Sequence, residues 1–289
     1  MKPWTGKTKG TLMGYRFFIY TIDYLGVKFA YFCCHFVSFY FLVFAKNQRK
    51  GLQSFYSNGL NFSKIKTLSV CRKSFYNFGQ SLIDRLALMT SRKEAYSYDF
   101  ENEKVLKEMA AHAKGGLLIS AHIGNWEVAG NLLHDRVTTK INVLALDNEV
   151  KAIKQLLALK SGKSKYNLIP IKDNFSHLIL IKQALDRNEL IAIHADRTLS
   201  EGKNIRLTFF NNEANFPLGP FIIAHKFKVP VTFVFALKNG NQHYSLSATQ
   251  PIYESNCAED LARKYVECLE KKISNNPDQW YNFYDFYAH

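Results

Sequence analysis

Gly116-Leu-Leu-Ile-Ser-Ala121, then His122-Ile-Gly-Asn-Trp-Glu127, then Val128-Ala-Gly-Asn-Leu-Leu133: the reading of this stretch decides the fold. The opening run is short, apolar and preceded by glycine, the pattern of a strand buried on both faces. The closing block reads as a helix. Asn125 suits its N-cap, and Glu127 falls in the first turn, where the positive end of the helix dipole favours an acid. His122 sits at the junction. A strand-end imidazole with a carboxylate on the next helical turn makes a general-base pair, in which the acid fixes the ring's tautomer and stabilises the imidazolium. An ordinary pKa of about 6.5 suits histidine to that exchange near neutrality. Ordinary capping chemistry accounts for the same residues, and spacing alone leaves both readings open.

Working outward, the chain alternates. Ile141–Leu146, Asn167–Ile171, Leu190–His194, Val229–Ala236 and Tyr244–Thr249 read as strands. Val150–Leu159, His177–Asp186, Pro220–Phe227 and Glu259–Ile273 read as helices. Such alternation predicts an α/β fold, a mainly parallel mixed sheet flanked by helices with right-handed crossovers. Ligands then gather beyond the carboxyl ends of the strands, where His122, Asp196 and Arg197 fall. Residues 51–112 read as helices throughout. No internal repeat or low-complexity linker divides the chain, so 51–289 reads as one domain behind an N-terminal segment, 1–50.

That segment opens with a polar, basic stretch over 1–14, read as a short flexible leader. From Tyr15 to Ala45 it is largely apolar and aromatic, and Lys46, Arg49 and Lys50 follow at once. A spanning helix needs about 20 apolar residues, and Lys28 and His35 share one helical face, which a lipid-exposed span avoids. The run carries no small-residue cleavage site. It therefore predicts a helix at the membrane interface, anchored by the basic cluster. A buried first helix of the globular domain is the plainer alternative.

Composition narrows the class. Apolar residues make up 47% of the 289, enough for a sizeable core. The five cysteines lack metal-ligand spacing and are odd in number, which suits reduced thiols in the cytoplasm; no metal and no cofactor is expected. The net charge of +14 is scattered, unlike the concentrated basic face of a nucleic-acid binder, and fits an anionic membrane surface and an acidic protein partner.

The block GGLLISAHIGNWEVAG resembles the His-x4-acid block of the lysophospholipid acyltransferase superfamily, closest to the bacterial lauroyl/myristoyl branch acting on lipid A. Leu190-Ile-Ala-Ile-His-Ala-Asp-Arg197 resembles its second strand-end block. Thr208-Phe-Phe210 with Phe216-Pro-Leu-Gly-Pro220 resembles its FF…GP loop, and Pro277-Asp-Gln-Trp280 its Pro-Glu-Gln-Trp element. There are departures. Ile141–Val150 holds no arginine where the lipid A enzymes usually carry several, and His194 and Arg197 replace the commoner acid-Gln arrangement. The expectation is the same chemistry on a different acceptor.

The resemblance implies an O-acyltransferase at the cytoplasmic face of the inner membrane. It moves a fatty acyl chain from acyl carrier protein or CoA, as co-substrate, to a hydroxyl of a membrane lipid. His122 takes the hydroxyl proton and Glu127 holds His122. Backbone amides near Gly124-Asn125 or Gly219 meet the oxyanion. Arg197 pairs with a phosphate or with a neighbouring acid, and Asp196 orients Arg197 or closes a turn. Trp126 is a wall residue, while Phe210, Gly219 and Pro220 shape the acyl groove. His194 reads as a satisfied core residue. A lipid ester hydrolase with the same dyad, or a non-catalytic lipid-binding relative, are the rivals; the hydrolase often shows a Gly-x-Ser-x-Gly elbow, absent here.

Overall fold

The computed structural model describes residues 12–88, 96–112, 114–133, 139–146, 151, 166–172, 176–199 and 202–287. Strand β2 (Gly116–Ser120) is the hub, and every residue of it is buried. Strand β5 (Leu190–His194) runs parallel along one of its edges and β8 (Val231–Lys238) along the other. Beyond β5 lie β3 (Ile141–Leu146) and β4 (Asn167–Ile171), and beyond β8 lie β9 (His243–Ala248) and β1 (Ser97–Glu101). The order is β1-β9-β8-β2-β5-β3-β4. Only β8 with β9 pairs antiparallel, so the sheet is mainly parallel and mixed, as expected.

The pleat sorts side chains between two cores, since alternate residues face opposite sides. Leu117, Ile119, Ile191 and Ile193 face one core, completed by helices over His177–Asp186, Gly219–Phe227 and Ala258–Asn275. Leu118, Val143, Leu190 and Leu246 face the other, against Glu103–Ala111, Trp126–Leu133 and the end of Lys64–Leu88. Continuous apolar runs in β2 and β5 thus reflect two covered faces.

Two readings need correction. The segment 51–112 is not all helical: Ser97–Glu101 alternates exposed and half-buried residues as an edge strand. Asn204–Phe209 and Asn212–Pro217 form an antiparallel hairpin rather than a loop. Phe210 and Asn211 turn it with φ of 49° and 60°, the positive values a tight hairpin turn demands. The helix expected over 150–159 lies, apart from Lys151, outside the described residues, as do residues 1–11 of the basic leader.

At the N-terminus, α1 (Leu12–Leu25) and α2 (Val27–Phe44) lie against α4 (Lys64–Leu88), after the short α3 (Lys46–Ser54). Helix α2 has the length and hydropathy of a membrane span, about 27 Å at 1.5 Å per residue. Yet Val27, Ala30, Tyr31, Cys34, Ser38 and Leu42 bury one face of it. His35 stacks on Tyr76 of α4 at 3.9 Å. The opposite face is bare and aromatic: Phe32, Phe36, Phe39 and Phe44 are each more than half exposed. Ile65 and Leu68 at the start of α4 are exposed with it. A buried polar knot ties α2 to the sheet. Asp84, fully buried on α4, accepts hydrogen bonds from the hydroxyls of Tyr31, Tyr96 and Tyr244 and from Lys238 Nζ.

Candidate active site

Register brings the site together. Ser120 and His194 are partners at the ends of β2 and β5, so His122 and Asp196, each two residues farther on, emerge side by side. His122 Nδ1 lies 2.7 Å from Asp196 Oδ1, and the His122 backbone N–H donates to Oδ2 at 2.9 Å. A carboxylate only accepts, so Nδ1 carries the hydrogen and Nε2 is left to receive one from a substrate. The acid is sealed at 1% exposure while the imidazole keeps 22%. Burial alone raises the Asp196 carboxyl. The adjacent His122 charge and hydrogen bond, then Arg197 and His194, outweigh that and hold it well below the usual carboxylate range.

The expectation placed Glu127 on this ring; the carboxylate that meets Nδ1 is Asp196. Glu127 faces α4, where its Oε1 accepts from Arg85 Nη1 at 2.9 Å. The capping reading holds for Asn125, whose Oδ1 accepts from Val128 N at 3.4 Å while its Nδ2 donates to Ser81 O.

The Pro277–Trp280 element clamps the same loop. Trp280, buried, donates its indole N–H to Asp196 Oδ2 at 3.0 Å. Gly124 N donates to Gln279 O, and Tyr281 N to His122 O, both at 2.9 Å. Gln279 in turn exchanges two hydrogen bonds with the Lys238 backbone. Gly124 has φ +65°, and a Cβ there falls 1.9 Å from Ala236 O, so the loop presses on β8 as no other residue allows. Asn125 N donates to that same carbonyl at 2.8 Å. The amides of Gly124 and Asn125, expected as oxyanion donors, are therefore engaged inside the protein. Arg197 donates from Nη2 to Tyr281 O at 3.0 Å, which ties it to the C-terminal tail.

An apolar cavity of about 70 Å³ opens between the sheet and the helices over Glu103–Ala111 and Trp126–Leu133. Ser120, Trp126, Val143, His194, Ala236 and Leu246 are among its walls. Trp126 stands edge-on to His194, with centroids 5.4 Å apart. The structure does not bring Phe210, Gly219 or Pro220 to this cavity. Phe209 and Phe210 pack around Phe55, at 6.2 and 5.6 Å, and Gly219–Pro220 start a helix in the opposite core. Among the described residues no three His, Cys, Asp or Glu side chains converge as a metal set. The Arg85 contact had no sequence signal, lying 42 positions away. Trp280 was signalled only by its motif.

Residues 9–285 match the family described as bacterial lipid A biosynthesis acyltransferase, and the chain belongs to that family. No match is found among curated proteins.

Proposed function

We propose that this member of the lipid A biosynthesis acyltransferase family carries a fatty acyl group from a thioester, on acyl carrier protein or CoA, to a hydroxyl of a membrane lipid at the cytoplasmic face of the inner membrane. Membership makes it a lipid acyltransferase; donor, acceptor and residue roles are the proposal. The observation that carries the roles is the His122 ring, itself 22% exposed, held through Nδ1 by sealed Asp196 and packed 4.4 Å from the ring of His194, which lines the apolar cavity.

His122 Nε2 takes the proton of the acceptor hydroxyl as the oxygen attacks the thioester carbonyl, and Asp196 stabilises the imidazolium. General-base help of this kind contributes roughly 10²–10⁴-fold. The cavity receives the carbonyl end of the acyl chain, with Trp126 as its wall. Glu127 acts one step back: paired with Arg85, it fixes the first turn of the helix that carries Trp126. The bare aromatic face of α2 rests in the bilayer interface, with Lys46, Arg49 and Lys50 toward anionic headgroups.

The test is turnover of dodecanoyl thioesters of acyl carrier protein and of CoA by detergent-purified full chain, with lipid A precursor and phospholipid as acceptors, read by mass spectrometry. The wild type adds one acyl chain to an acceptor and His122→Ala, equally folded by melting curve, does not. Near wild-type transfer by folded His122→Ala refutes the reading.

A further inference from the structure

One polar ring in the cavity wall packs against other rings but makes no hydrogen bond among the described residues. His194 ends β5, opposite Ser120, with its ring centroid 4.4 Å from that of His122. It is partly exposed, lines the cavity, and has no hydrogen-bond partner among the described residues. The expected hydrogen-bond partner of a core histidine is not found among the described residues. A half-buried polar ring without a hydrogen bond loses part of its hydration uncompensated, and such groups in folded proteins have a reason.

The backbone amides beside it are already in use. A tetrahedral oxyanion needs an N–H aimed at it. The His122, Gly124 and Asn125 amides are already given to Asp196, Gln279 and Ala236. Burial, and then the neighbouring His122, push the His194 pKa well below its ordinary value, so the ring is neutral at pH 7. A neutral imidazole still donates one hydrogen bond, whereas a cation there repels the imidazolium that forms on His122.

We infer that His194 is a catalytic residue, its ring N–H donating to the thioester carbonyl oxygen as the oxyanion forms; this rests on the acyl-transfer reading above. The acceptor oxygen bonds to the carbonyl carbon, its proton passes to His122 Nε2, and the carbonyl electron pair moves to oxygen. On collapse the C–S bond breaks and the thiol leaves with the proton from His122. His194 keeps its proton throughout and contributes only the hydrogen bond.

The experiment compares His194→Phe, His194→Asn and His194→Gln in the dodecanoyl-thioester assay, beside His122→Ala. Phenylalanine keeps the ring contact with His122 and Trp126 but cannot donate; the amides restore an N–H near one ring nitrogen or the other. Removing one oxyanion donor costs about 10²–10³ in kcat. His194→Phe should fall by that factor with KM for the thioester within threefold and an unlowered melting temperature, and one amide should recover at least tenfold. Turnover of His194→Phe within threefold of wild type, or no difference between phenylalanine and both amides, overturns the inference. Activity in His122→Ala instead defeats the acyl-transfer reading itself, so the two failures are told apart.

Discussion

Asp196→Asn is the sharpest perturbation of the site, because the surrounding hydrogen bonds dictate which way the amide turns. Asp196 Oδ2 accepts two fixed donors, the His122 backbone N–H at 2.9 Å and the Trp280 indole N–H at 3.0 Å. Neither can turn into an acceptor. In the variant the amide oxygen must therefore occupy the Oδ2 place, and the NH₂ group faces His122 Nδ1. A donor facing Nδ1 makes that nitrogen the acceptor and moves the ring hydrogen to Nε2, the atom required as base. The fold is untouched while the base is switched off. An Asp→Asn change that imposes the wrong tautomer costs about 10⁴ in kcat, or about 5.4 kcal/mol of transition-state stabilisation. The assay is single-turnover acyl transfer at pH 7 beside a melting curve, with Asp196→Ala as a second variant that leaves the tautomer free. Asparagine should be at least as damaging as alanine. Turnover of Asp196→Asn within tenfold of wild type, in a protein that melts normally, refutes the tautomer argument.

Glu127→Gln tests the other acid: removing one partner of a buried ion pair costs about 3–5 kcal/mol, so melting should drop clearly while kcat falls no more than about tenfold. A loss of 10³ or more with normal melting instead seats Glu127 on His122 in the working complex. Stability should also decline from pH 7 to pH 5. His194 has a folded pKa below its unfolded value of about 6.5, so its contribution is complete above that pH and is lost as pH falls toward the folded value, with a slope of up to about 1.4 kcal/mol per unit. His177, lowered by burial, adds in the same sense, so the comparison is between wild type and His194→Phe, whose slope should be shallower; equal slopes contradict the lowered His194 pKa. At the N-terminus, Phe36→Glu with Phe39→Glu should leave melting in detergent unchanged, since both side chains are exposed, and lower binding to anionic vesicles at least tenfold. Unchanged binding removes that face from the interface.

The sheet was legible because its strands are short apolar runs bounded by turn residues, and burial on both faces makes that pattern unavoidable. Gly116–Ser120 and Leu190–His194 are examples, each buried by two helical layers. The edge strand Ser97–Glu101 was not legible: with one neighbour and one wet face it needs no apolar run, and its alternation is only exposed against half-buried. The hairpin at Phe210-Asn211 was missed because turn chemistry there rests on asparagine and a phenylalanine forced to positive φ, where sequence rules look for glycine. Helix α2 was legible as apolar and aromatic, but not that Tyr31 would reach across to Asp84 and fasten it to the sheet.

The site divides along the same line. Spacing within one segment located His122 and capped the following helix with Asn125, since both depend on local backbone geometry. Choice of the acid did not. Closeness in sequence favoured Glu127, on the first turn after the strand-end loop; in a parallel sheet the nearest side chain beyond a strand end belongs to the neighbouring strand. The Ser120–His194 register sets Asp196 beside His122 across 74 residues of chain, and the same register delivers His194 to the cavity. Both assignments follow from one fact, that β2 and β5 are adjacent and parallel. The residue two past the end of β5 meets the His122 ring, and the last residue of β5 lines the cavity beside it.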